Sequence, residues 1–424
     1  TTEIYTLSLH DALPISMVSR REFLSAPVLL VPQGAAGRPN IALVVTEYRH
    51  NAHADVIGTR LLGGYDYQGR RQQPRVKVVS MFTDQIPPRG DMSRPMAQKH
   101  GVPIFDTVRE SLTLKGGSLA VDGVVVVGEH GRYPYNEKGQ HLYPRYELMS
   151  QVVDVFRSSG RSVPVFCDKH LSTDWKKARQ MVDWSKELNF PFLAGSSVPI
   201  SWRRPELEIP FGASVKYAVA AAYGGDEAYG YHAMEAMQAM VERRRGGETG
   251  IVSVQAYNGA EVWRWSDANP WTAPLLAAAV SRSTTRKEGD IRTNARRPTV
   301  FELLYKDGLR AAVYMLDGHI ADFNFAAAVD GQRDPASTQF FLQGGRPFGH
   351  FSTLVHYIEE LILNKRAPYP VERTLLVTGA LAACMESVWR GNTRVETPYL
   401  TVTYTAPQES LYNRGPVPPD KEDI

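Results

Sequence analysis

The chain is poor in the features that usually assign a protein quickly. Among 424 residues only Cys167 and Cys384 are cysteines, which excludes a disulfide framework and a cysteine-based metal site. Both sit in apolar runs and read as small core residues, with one pairing between them left open. Net charge is only +3, and Lys and Arg are interspersed with Asp and Glu, so no electrostatic footprint for nucleic acid exists. No uninterrupted apolar stretch approaches the roughly 20 residues that span a bilayer, and no internal repeat is found. What is present, 43% hydrophobic residues, is an ordinary globular composition, long enough for two cored domains.

Residues 1–16 resemble translated sequencing-adapter read-through, so Met17 is taken as the start. Ser19-Arg-Arg-Glu-Phe-Leu24, the apolar Ala26–Val31 and the small residues Gly34–Gly37 are similar to a twin-arginine signal spanning residues 17–38. The expectation is a periplasmic or otherwise exported protein, or a cytoplasmic one if the motif is fortuitous.

From residue 39 to 200, strand and helix patterns alternate. Ile41–Val45, Val76–Phe82, Val121–Val127, Val163–Asp168 and Phe192–Ala194 read as strands, with helical stretches at 52–62 and 146–156 and at Trp175–Ser185. Such alternation predicts a parallel sheet covered on both faces. The most informative run is Val163-Pro-Val-Phe-Cys-Asp-Lys-His170, a buried strand that ends in charge. Its end falls at the carboxyl edge of the sheet, where open α/β sheets bind ligands. Residues 201–406 differ. A helix at 230–243 and strands at 252–257, 300–305, 308–316 and 319–329 predict an α+β domain with a large open, mostly antiparallel sheet, including a hairpin turned at Asp317-Gly318. Helices at 356–363 and 374–388 follow, and the polar tail 407–424 is expected to be disordered.

Lys99-His-Gly-Val-Pro-Ile-Phe-Asp106, Val121-Asp-Gly-Val-Val-Val, Asp168-Lys169-His170 and Gly230-Tyr-His232 recur in the order and at the spacing of motifs in the Gfo/Idh/MocA oxidoreductases, and the chain resembles that family over nearly all of 39–405. The resemblance implies a Rossmann-like domain followed by the α/β domain, NAD or NADP as cofactor, and a sugar or cyclic polyol as substrate. Oxidation of the polyol, or glycoside cleavage through transient oxidation, would be the reaction. Asp168-Lys169-His170 stands where the family has Glu-Lys-Pro, so Lys169 would hold or protonate a substrate hydroxyl, flanked by Asp168 and His170. His232 would take up a proton as hydride leaves. By position, Thr46, Glu47, Tyr48, Arg49 and His50 in the first turn, Asp84 after the second strand, and Glu129 and His130 after the third would meet the cofactor. The family's large sheet also implies a homo-oligomer joined through it.

The same residues depart from the family at three points. The first turn, Val45-Thr-Glu-Tyr-Arg-His-Asn-Ala-His53, has no glycine, and only glycine lets a backbone approach a pyrophosphate closely. Ala228 stands four residues before His232, where the family has Asp, and His170 replaces proline. A cofactor-free carbohydrate-binding or scaffolding descendant is the second expectation. The long loop 128–146 supplies Tyr133, Tyr135, Asn136, Gln140 and Arg145, the donors, acceptors and flat faces that hold a polyol; Trp202 and Arg203 are further substrate-contact candidates. His50, His53, Glu129, His130 and His170 are the set that would converge on Zn²⁺ or Mn²⁺ in a hydrolase or isomerase. Without a compact H-E-x-x-H motif, they read as hydrogen-bond partners and no metal ligand is assigned.

Overall fold

The computed structural model describes residues 37–420; the adapter-like stretch and the export-like motif, save its last two positions, lie outside the described residues. The first sheet is formed by β1 (Asn40–Val45), β2 (Lys77–Thr83), β3 (Ile104–Phe105), β4 (Gly123–Val127), β5 (Val165–Asp168) and β6 (Phe192–Gly195). Every neighbouring pair is parallel, in the order β3-β2-β1-β4-β5-β6. Runs such as Gly123-Val-Val-Val-Val127, buried at every position, suit strands covered on both faces. The order reverses at β1 and β4, and the crevice outside their carboxyl ends is the ligand position of this architecture.

Helices complete the layers. α1 (His53–Gly63) leaves β1, α2 (Arg145–Ser159) leads into β5, and α3 (Trp175–Glu187) leads into β6. α2 buries Leu148, Met149, Val152, Val153 and Phe156 as one stripe, the spacing expected of a helix with one apolar face. α3 starts at Asp174, whose carboxylate accepts from the Lys177 N–H at 2.9 Å, an N-cap that satisfies one of the first-turn donors.

The second sheet holds β7 (Trp202–Arg204), β8 (Val215–Ala222), β9 (Ile251–Asn258), β10 (Thr299–Tyr305), β11 (Arg310–Met315), β12 (Phe323–Val329), β13 (Ala336–Phe341) and β14 (Val395–Glu396), in the order β14-β9-β10-β11-β8-β12-β13-β7. Only β8 and β11 run parallel, so the sheet is mixed and mostly antiparallel. The hairpin expected at Asp317-Gly318 does not form: β8 lies between β11 and β12 and pairs with both. β8 reads Val-Lys-Tyr-Ala-Val-Ala-Ala-Ala, and alanine is a weak strand former. Its place is fixed by burial on both faces, with Ala218 and Ala220 toward one core and Val219 and Ala221 toward the other.

One face of this sheet carries α4 (Ala228–Val241) and, late in the chain, another long helix; the other carries α5 (Ala260–Ala268) and α6 (Thr272–Val280). Val262, Trp265 and Leu275 pack on Val219, Val300, Tyr314 and Ala326. α7 (His350–Asn364) returns to the first domain against α1, and α8 (Val371–Trp389) lies on α4 and β9. The tail, expected to be disordered, is packed through residue 420. Buried Arg243 donates to Pro407 O at 2.9 Å and Gln408 O at 3.1 Å, Trp202 donates to Gly415 O at 2.6 Å, and Asn413 to Thr353 Oγ1 at 2.9 Å. Its polar composition conceals these anchors, because they are made mostly by backbone carbonyls.

Gly195 ends β6 with φ +131°. A Cβ there would collide with the Glu235 carboxylate and lie 2.9 Å from the Tyr369 hydroxyl. Gly195→Ala is expected to lower stability by roughly 2–4 kcal/mol in urea unfolding, whereas Gly117→Ala, with nothing within 4 Å, should change it by less than about 0.5 kcal/mol.

Candidate functional site at the carboxyl edge

β5 delivers Asp168, Lys169 and His170 to the sheet's edge, all buried. Lys169 turns with φ +61° and its N–H donates to Gly195 O at 3.1 Å, a left-handed conformation uncommon for a residue with a side chain. Its ammonium lies 2.9 Å from Glu129 Oε1, and the other oxygen of Glu129 is paired with Arg145, the first residue of α2. Burial alone would raise the Glu129 carboxyl; the charges of Lys169 and Arg145 overcome it and hold that carboxyl well below the usual range. Arg145 also reaches His170 Nε2 at 3.2 Å, and the same nitrogen faces Glu227 Oε1 at 3.2 Å.

A second arm of the site starts at α1. His53, its first residue, points Nδ1 at Asp168 Oδ2, 2.6 Å away. Its ring stands edge-on to His130 and to Phe351, at 5.5 and 5.2 Å between centroids. Thr46 donates to Glu129 O at 2.7 Å, Arg49 pairs with Glu47 at 2.6 Å and approaches His130 Nδ1 at 3.4 Å. The third arm is α4. His232 Nδ1 lies 3.0 Å from Ser196 Oγ, which donates to Glu235 at 2.5 Å. Because that hydroxyl spends its proton on the carboxylate, His232 must donate from Nδ1, leaving Nε2 as an acceptor. Two of these imidazoles are held down: burial pushes His130 down to about 4, and burial, then the charge of Lys169, holds His232 well below its ordinary value.

Between these arms and the second sheet lies a cleft of about 500 Å³ whose walls include His53, Tyr223, Tyr229, Phe323, Phe341, Gln339 and Phe351. Asp322 sits on its rim, its carboxylate fixed by Ser283 Oγ and Thr284 N at 3.0 Å, Gln339 at 2.8 Å and Asn324 at 2.7 Å. Aromatic faces beside an immobilised acceptor are the lining that holds a polyhydroxylated ring.

A dinucleotide does not fit the edge as it stands. Tyr48, in the turn where glycines would be needed, is wholly buried, its hydroxyl 2.8 Å from Thr59 on α1. The start of α1, the anion-binding point of this architecture, already has a carboxylate: Asp55 accepts from the Asn51 N–H at 2.9 Å and is paired with Arg346 at 2.5 Å. Asp84, expected at an adenosine ribose, instead accepts from Tyr133 Oη at 2.6 Å. Gln85 and the Arg132 backbone bond to each other twice, at 2.8 and 3.1 Å. Loop 128–146 is thereby tied down across the crevice between β1, β2 and β4.

The structure thus gathers Lys169, Asp168, His170, Glu129, His130, Arg145, Thr46, Glu47, Arg49 and His232 around one edge. It sends others elsewhere. His50 bonds to Arg346 at 2.9 Å on the far side of α1; Tyr48 is a packing residue. Tyr135 is exposed and stacks on His141, and Asn136 shapes its own turn through Gln140. Trp202 and Arg203, expected at substrate, are buried against the tail, Arg203 over the Tyr412 ring at 4.3 Å. Ser196, Glu227, Glu235 and Asp322 carry no motif in the sequence: Ser196, Glu227 and Asp322 stand in short connections, and Glu235 is a single acid inside the apolar helix α4. Among the described residues no group of three or more His, Cys, Asp or Glu side chains is arranged to hold a metal ion.

No family model matches this sequence, and no characterised protein matches it at the level of sequence. Solved structures match its fold. GenD2 from gentamicin A biosynthesis, in complex with NAD, is 16% identical with a TM-score of 0.53, over 87% of this chain and 99% of that one. Scyllo-inositol dehydrogenase from Lactobacillus casei, with bound NAD(H) and scyllo-inositol, is 12% identical with a TM-score of 0.53, over 85% and 99%. Myo-inositol 2-dehydrogenase from Lactobacillus plantarum is 12% identical with a TM-score of 0.51, over 85% and 99%. The two inositol dehydrogenases among them are of the Gfo/Idh/MocA type that the sequence resembles, and at such identities the likeness establishes the two-domain fold.

Glu235 offers a pH test of this site. Burial raises its carboxyl from 4.5 to about 6, so its ionisation is disfavoured by folding, and its contribution to stability is present below about 4.5 and lost as pH rises through 6. Relative to wild type, Glu235→Gln should therefore gain stability between pH 4.5 and 7.5, by on the order of 2 kcal/mol, in urea unfolding at the two pH values. An identical difference at both would refute the assignment.

Proposed function

We propose that this chain is an enzyme on the sugar and inositol dehydrogenase fold that acts on a polyhydroxylated, cyclitol- or sugar-like ligand in the cleft between its two sheets. The observation that carries the reading is the cleft itself: aromatic walls, the immobilised Asp322 acceptor and His53, held from behind by buried Asp168, meet around a volume of about 500 Å³, enough for one such ring. Lys169 supplies a fixed positive charge and the neutral His232 an acceptor nitrogen, so the site has the groups needed to move a proton.

Fold likeness alone supports NAD(P)-dependent oxidoreduction as the finer reading. The buried Tyr48, the Asp55 carboxylate at the start of α1 and the Tyr133–Asp84 bridge oppose it, and they favour a site that works without a resident dinucleotide. Export remains part of the proposal on the strength of the twin-arginine-like motif.

Titration calorimetry of the full chain against scyllo-inositol, myo-inositol, NAD⁺ and NADP⁺ separates the readings. Binding of a cyclitol at micromolar to millimolar concentrations without binding of either dinucleotide is expected. Micromolar binding of NAD⁺ or NADP⁺ would return the protein to the redox class. Failure of cyclitols and of a sugar panel alike would overturn the ligand assignment.

A further inference from the structure

The His53–Asp168 pair does more than line a cleft. Asp168 is wholly buried, and its carboxylate 2.6 Å from Nδ1 fixes the tautomer of His53. Nε2 is left as a lone-pair acceptor on a ring that belongs to the cleft wall. His232 stands edge-on to Phe323 and Tyr229, two other wall residues, and has its own Nδ1 committed to Ser196. The charge of Lys169 reaches both His130 and His232. Two buried polar atoms beside the pair, Asp168 Oδ1 and His130 Nε2, have no partner among the described residues, a capacity that buried polar groups normally fill. An imidazole on the cleft wall with its Nδ1 committed, a second packed against two wall residues, and the buried Lys169 ammonium behind them form a set for proton transfer. If the base drew a hydroxyl proton as hydride departed, a hydride acceptor would be required, and the edge where one would lie is bridged by Tyr133, Asp84 and Arg49.

We infer that the cleft is a cofactor-independent proton-transfer site in which His53, oriented by Asp168, removes the proton from the carbon beside the carbonyl of a sugar-like keto polyol. The inference rests on the ligand class proposed above. The C–H bond breaks and its proton passes to His53 Nε2. Its electron pair forms the C=C bond of an enediolate, whose anionic oxygen is stabilised by the Lys169 ammonium, while Asp168 balances the imidazolium. Return of the proton to the opposite face of the original carbon gives an epimer; return to the former carbonyl carbon, with the enol hydroxyl proton passing to the neighbouring oxygen, gives an aldose–ketose isomer. No net oxidation occurs and no co-reactant is consumed. Asp168 is a positioning residue in this scheme, and His53 the catalytic one.

The test is deuterium exchange. The full chain is incubated in D₂O with 2-keto-myo-inositol or D-fructose, with no nucleotide added, and the signal of the proton beside the carbonyl is followed by NMR. Exchange well above the buffer rate is expected for at least one of them, falling by about 10²–10⁴-fold in His53→Ala, the usual worth of a general base. Melting temperature and calorimetric binding of the same ketone confirm that the variant is folded; His53→Gln replaces it if it is not. Asp168→Asn should lower exchange and also change the ¹⁵N shifts of the His53 ring from one tautomer to a mixture, which a merely structural role would leave alone. Ketone binding without exchange overturns this inference and leaves the ligand reading intact. Neither binding nor exchange overturns both, and exchange unaltered in His53→Ala removes the assigned base.

Discussion

Everything at the edge depends on one buried carboxylate. Glu129 is 5% exposed, and its partners Lys169 and Arg145 are 6% and 1% exposed. Stripping water from three charges costs several kcal/mol for each, and the attraction between them offsets that only when geometry is good and remaining donors and acceptors are satisfied. The geometry is good because each charge comes from a different element. Glu129 follows β4, Lys169 follows β5, Arg145 opens α2, and Thr46 after β1 binds the Glu129 backbone. Losing any one charge would leave the others buried without balance, so the ends of β1, β4 and β5 are held to one another around a single point.

That point sets the chemistry available around it. Burial first, and the same nearby cations second, leave the surrounding imidazoles of His130, His170 and His232 depressed. A neutral imidazole is a base with no proton to lose first, and its direction is decided by whichever nitrogen is already bonded. The same arrangement closes the crevice to an elongated anion. The first loop presents Glu47, and the first turn of α1 Asp55, where backbone N–H groups would otherwise face a pyrophosphate, and each has an arginine of its own chain beside it, Arg49 and Arg346. Likeness of fold to NAD-bound dehydrogenases and unlikeness at the phosphate position are thus not in conflict, since the sheet is specified by buried strands and the phosphate site by a turn of a few residues.

How far this was legible in the sequence follows the same division. The strands at 41–45, 121–127 and 163–168 announced themselves as continuous apolar runs, and the parallel order followed from their alternation with amphipathic helices. The glycine-free turn was legible as an absence. β8 was not, because Val-Lys-Tyr-Ala-Val-Ala-Ala-Ala has neither β-branched density nor alternation, and its insertion between β11 and β12 removed an expected hairpin. The packing of the tail is hidden for a related reason: its contacts run through backbone carbonyls to Arg243 and Trp202, which composition cannot display. At the site, Asp168 and Lys169 were found from their place at a strand end, whereas Ser196, Glu235 and Asp322 act through partners distant in sequence. Trp202 and Arg203 failed as substrate contacts because proximity to the crossover does not say which way a side chain packs.

The family resemblance points to Lys169 as the acid or base, but its surroundings argue for a different division of labour. Its ammonium is committed to a carboxylate that has only one other cation beside it. A proton leaving Lys169 would strand charge on Glu129 in a desolvated site, whereas a proton arriving at His53 is met by Asp168, whose charge is already aimed at the ring. Proton movement is therefore easiest at the pair where the counter-charge exists before the proton does, and hardest where the pair is already complete. In the proton transfer proposed above, the lysine is therefore the fixed electrostatic element that would stabilise negative charge on a ligand oxygen, and the moving proton would belong to the histidine that opens α1.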